Sequence, residues 1–69
     1  MEPEDIKREL WNRRRTVTQA GIGRSLGVTR QAVESVIQRR FRSRRIMDAV
    51  AEAIGREVKY VFPELIKPS

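Results

Sequence analysis

Sixty-nine residues suffice for one compact domain with a small core and leave no room for a second. The chain has neither cysteine nor histidine, which removes disulfides, thiolate chemistry and the commonest metal ligand and general base, and no apolar run approaches the roughly 18 residues of a membrane span. The net charge of +6 is concentrated: residues 13–45 carry ten arginines and one acid, whereas residues 1–12 and 46–69 are each slightly acidic.

Such a segment either serves as solvated surface or faces an anionic partner. Twelve of the fifteen basic residues are arginine, whose planar fork matches phosphate or a guanine edge. The acidic start, Met1 to Asp5, lacks the basic and apolar stretches of a secretion signal, so a soluble, cytoplasmic protein without metal or cofactor is expected.

In chain order, Pro3 is a good first helical residue, Glu2, Glu4 and Asp5 suit a positive helix start, and Ile6, Leu10 and Trp11 form an apolar stripe. A first helix over Pro3 to Arg14 follows, with Arg13, Arg14 and Arg15 either complementing its negative end or touching phosphate. Thr16 or Thr18 caps a short second helix, Gln19 to Leu26, which Gly27 ends in a left-handed turn. Thr29 caps a third helix running to Arg39 or Arg40. At about 100° per residue from Arg30, Ala32, Val33, Val36 and Ile37 fall at about 200° to 340°, while Arg30, Gln31, Glu34, Ser35 and Gln38 fall at about 0° to 140°.

Phe41 is expected to turn back into the core. Ser43 caps a fourth helix with Ile46, Met47, Ala49, Val50, Ala53 and Ile54 inward, and Gly55 stops it. A last turn or two over Glu57 to Phe62 buries Val58, Val61 and Phe62 before Pro63. The fold class is therefore all-α, a compact bundle of four to five short helices over residues 1–65, with 66–69 a loose tail.

Residues 19–36 have the spacing of a helix-turn-helix. Two helices crossing steeply through a short turn need a small residue at the contact, Gly23, and a positive φ in the turn, Gly27. Val28 plugs the corner, and Ile22, Leu26, Val33 and Val36 hold the pair against the first and fourth helices.

Gln19, Ile22, Gly23, Leu26, Gly27, Val28, Thr29, Val33 and Val36 resemble the signature of the lambda repressor/Cro family, and Val50 to Gly55 with Val61-Phe-Pro-Glu is similar to that family's last two helices. The likeness spans roughly residues 3–65 and is greatest to small phage and prophage regulators of the Ner type. Three features depart from the pattern. Gly23 stands where alanine is usual, at a helix-propensity cost of about 1 kcal/mol, Gly21 adds a second such cost, and the link from Arg39 to Arg45 holds five arginines.

The resemblance implies sequence-specific binding of double-stranded DNA by a transcriptional regulator, a repressor by family habit, with the third helix in the major groove. Arg30 and Gln31 then lead as base readers, followed by Ser35 and Glu34; Glu34 accepts from cytosine N4 or pairs on the helix surface with Arg30 or with the neighbours of Gln38. Thr18, Gln19, Arg24, Thr29, Gln38, Arg39, Arg40, Arg42 and Arg44 form the phosphate-contacting set, with Thr18 also an N-cap.

A homodimer on DNA is implied, with Tyr60, Val61 and Leu65 as candidate contacts, while Trp11, Tyr60 and Phe62 are too scattered for base stacking and are expected to pack in or over the core. An antitoxin-like protein-interaction module is the alternative. No catalytic constellation, small-molecule ligand or membrane partner is expected.

Overall fold

The computed structural model describes residues 1–64 and contains five helices among them: α1 Pro3–Asn12, α2 Gln19–Leu26, α3 Arg30–Ile37, α4 Arg44–Ala53 and α5 Val58–Val61. The expected all-α bundle is the one observed, and no strand is present among the described residues. The expected tail at residues 66–69 and the contact residue Leu65 lie outside them.

Three of the helix starts share one device. Thr18, Thr29 and Ser43 adopt extended backbone, and their hydroxyl oxygens accept from the N–H groups of Gly21, Ala32 and Ile46 respectively, satisfying donors that the first turn leaves free. Three helix ends share another. After α2, Val28 N–H donates to the Gly23 carbonyl and Gly27 N–H to that of Arg24, with Gly27 at φ 72°. The same pair of bonds closes α4 around Gly55, at φ 69°, and closes α3 around Arg39, at φ 63°.

One core joins all five helices: Ile6 and Leu10 of α1, Ile22 of α2, Val33, Val36 and Ile37 of α3, Ile46, Met47, Val50 and Ala51 of α4 with Ile54 just beyond it, Val61 of α5, and Phe62. A fully buried Ile, Val or Phe side chain contributes about 1.5–3 kcal/mol relative to its exposed state, so this set has to outweigh the ordering entropy of a very small domain. No polar or charged residue is fully buried among those described.

Several expectations need correcting. Helix α1 stops at Asn12, because Arg13 to Thr16 form a turn in which Thr16 and Val17 N–H groups both return to the Arg13 carbonyl. Helix α3 stops at Ile37, because Arg39 has already entered the left-handed region. Trp11 is 63% exposed: the buried stripe of α1 is Ile6 and Leu10, and the next residue is rotated about 100° off that face. Phe41 is 54% exposed, its N–H and that of Arg40 both bonded to the Ser35 carbonyl, and Phe62 is the aromatic in the core. In α4, Ala51 is buried, whereas Ala49 and Ala53 are half-buried at the edge.

Candidate nucleic-acid interface

The geometry starts at Gly23. A Cβ built there meets the Val28 carbonyl oxygen at 2.7 Å, so α2 approaches the backbone of the turn more closely than any side chain allows. With Gly27 reversing the chain and Val28 half-buried against the core, α3 is locked across α2. The apolar residues of α3 are consumed in this packing, and Arg30 and Gln31 of its first turn are exposed, with no ion-pair or hydrogen-bond partner for their side chains among the described residues. Ser35, one turn on, is half-buried.

Glu34 is turned toward α1. Gln38 Nε2 donates to its Oε2 at 2.8 Å and Lys7 Nζ of α1 stands 3.4 Å from the same oxygen. Burial, the largest single influence, raises its pKa, but the Gln38 hydrogen bond, the Lys7 charge and a contact from the Gln19 amide together hold it below the ordinary value. Gln19 is half-buried beside this junction, with an Oε1 that has no partner. A cleft of about 320 Å³ runs from Arg30 past Gln19 to Lys7, Trp11 and Arg14. Trp11 lines this cleft instead of the core, and the Arg14 guanidinium lies over its ring, 4.2 Å from the centroid.

The arginines divide by partner. Arg15, Arg24, Arg30, Arg40 and Arg42 are exposed and have no carboxylate within ion-pair reach among the described residues. Arg44 pairs with Asp48 at 2.9 Å on the surface of α4, and Arg13 lies 3.9 Å from Glu9. Arg45, not singled out by sequence, donates to the Leu26 carbonyl at 3.1 Å and so caps the end of α2.

Arg39 is committed inside the molecule. Its guanidinium donates to the carbonyls of Ile37, Val61 and Met1, pairs with Glu64 and lies over the Phe62 ring. The phosphate contact expected of it would compete with five intramolecular interactions, four of them with residues distant in sequence. Thr18 and Thr29 use their oxygens as cap acceptors, which leaves each exposed hydroxyl proton free to donate.

Two short capped helices crossing through a left-handed turn, the second presenting arginine and glutamine from its first turn amid unpaired arginines, define a helix-turn-helix of the kind that binds DNA. The chain belongs to the winged helix-turn-helix DNA-binding family, whose model matches residues 1–65. With no strand among the described residues, no wing accompanies the motif there. No curated protein and no solved structure is significantly similar to the chain.

No helix among the described residues is long and apolar enough to cross a membrane.

Proposed function

We propose that the protein is a sequence-specific transcriptional regulator of the lambda repressor/Cro type, akin to small phage and prophage repressors, that reads the major groove with α3 as a homodimer. The observation that carries this is Arg30 and Gln31: adjacent, exposed, without a side-chain partner among the described residues, and seated in a first turn held by the Thr29 cap. Arginine grips guanine O6 and N7 and glutamine grips adenine N6 and N7, each good pair giving about 1–3 kcal/mol of discrimination. Ser35 extends the reading by one turn.

Thr18, Gln19, Arg24, Thr29, Gln38, Arg40, Arg42 and Arg44 then contact phosphates on either side, and Arg39 is left out because its guanidinium serves the core. Five helices and no strand among the described residues support the lambda-like subtype. One recognition helix spans too few base pairs to select a site in a genome, so two copies are required, with exposed Tyr60 as a candidate contact between them.

Selection of bound duplexes from a random library at fixed salt tests the reading. The expected result is a consensus of two inverted half-sites with centres about one helical turn, roughly 34–36 Å, apart. Recovery of no consensus, or of a single protomer per site at saturation, removes it.

A further inference from the structure

Glu34 is the one acid among residues 13–45, surrounded in sequence by ten arginines, and it lies on α3 one turn beyond Arg30 on the same stripe. A carboxylate there repels phosphate and lowers affinity, so its presence needs a reason other than attraction to DNA. Local hydrogen bonding does not supply one. A glutamine at this position keeps an acceptor for Gln38 Nε2. What only the carboxylate provides is charge, and that charge holds Lys7 of α1 at 3.4 Å.

We propose that Glu34 is a specificity-determining positioning residue: its charge withdraws Lys7 from the DNA backbone and opposes phosphates that approach out of register. This rests on the DNA-binding reading above. Non-specific binding is almost wholly electrostatic, whereas the specific complex also depends on base contacts and on the orientation of its backbone clamps. Removing the charge therefore frees a lysine for loose complexes, and the ratio of specific to non-specific affinity falls.

The test uses the full chain and two duplexes, the selected operator and a scrambled sequence, over a range of salt. Glu34→Gln is expected to bind the scrambled duplex about 3- to 10-fold more tightly at low salt, with a salt slope steeper by about 0.9 for one added phosphate contact. Adding Lys7→Ala to it returns the slope to wild type and removes the part of the gain in affinity that Lys7 supplies. Lys7→Ala alone leaves the wild-type slope unchanged, a measurement that does not depend on the Glu34 variant folding.

A Glu34→Gln protein with unchanged affinity and slope on the scrambled duplex overturns the proposal, as does a double variant that keeps the steeper slope. A Lys7→Ala slope shallower by about 0.9 overturns it as well, because Lys7 then already contacts phosphate. Loss of preference at one base pair alone, with the scrambled duplex unaffected, makes Glu34 a base reader and also overturns it. Failure of the library selection removes the regulator reading instead, since the slopes are measured on any duplex.

Discussion

Arg39 occupies the backbone position that the ends of α2 and α4 give to glycine, with the same two hydrogen bonds around it. A left-handed conformation costs a residue with a Cβ roughly 1–2 kcal/mol, and the guanidinium's contacts with Val61, Ile37, Met1, Glu64 and Phe62 offset it. Arg39→Ala loses those contacts and keeps the strain, whereas Arg39→Gly loses both. Both should melt below wild type, with Gly above Ala by about 1 kcal/mol, or about 4–8 °C for a domain of this size. Equal melting of the two variants sinks the strain argument.

At the same scale, the two faces of α3 should separate: Arg30→Ala and Gln31→Ala keep the thermal midpoint and lose about 1–3 kcal/mol of preference at one or two adjacent base pairs, whereas Val33→Ala lowers stability and keeps the preference. Melts compared with binding to singly substituted operators check both halves. Full sequence preference in the Arg30, Gln31 double variant rules out α3 as the reader.

At the scale of the element, α2 is eight residues with two internal glycines, too short to persist alone, and it depends on the Thr18 cap, the Gly27 stop and the core contact of Ile22. Helix propensity favours alanine over glycine by about 1 kcal/mol, which would make Gly23→Ala stabilising. The 2.7 Å approach of the new Cβ to the Val28 carbonyl reverses the sign, because the obstacle is backbone of the turn and moving it displaces α3. Gly23→Ala is therefore expected to lower both the denaturation midpoint and operator affinity. A rise in the midpoint would show that α3 shifts at no cost.

For the molecule as a whole, the distribution of charge governs behaviour in salt and acid. The exposed arginines without partners should make binding fall steeply with salt, and Arg40→Ala or Arg42→Ala should weaken all sequences alike and lessen the slope by about 0.9 each. A change of base preference at one position with the slope intact contradicts that division of roles.

Acid acts through Glu64, held below its ordinary pKa of 4.5 mainly by Arg39, and through Glu34, held down against the opposing effect of burial by Gln38 and Lys7. Since the folded values lie below the unfolded ones, the unfolded chain binds more protons as pH falls. Stability from both groups is present above about pH 4.5 and is lost below it. Urea midpoints across a pH series should show this fall, and Arg39→Ala should make it shallower by removing the Glu64 share; an identical fall in the variant would exclude Glu64 as a cause.

What the sequence by itself determined is what acts within one helical turn. Thr18, Thr29 and Ser43 cap through a hydroxyl three residues away, Gly27 and Gly55 stop helices through their own freedom at positive φ, and the faces of α3 follow from the 3.6-residue repeat. These local rules sufficed to place the motif and the polar face of α3, while the roles given to Arg30 and Gln31 came from the motif's resemblance to a known family.

The tertiary structure alone decided which of several apolar or charged residues wins a place that more than one could fill. Phe62 rather than Phe41 or Trp11 enters the core, Arg39 rather than a neighbouring arginine reaches Val61, and Lys7 meets Glu34 across 27 residues of chain. Hydrophobicity and charge are properties of a side chain, but burial and pairing depend on the position and direction of its Cα–Cβ bond once the helices cross. In a chain this small that crossing is set by the fit at Gly23 and Val28 and by one shared core.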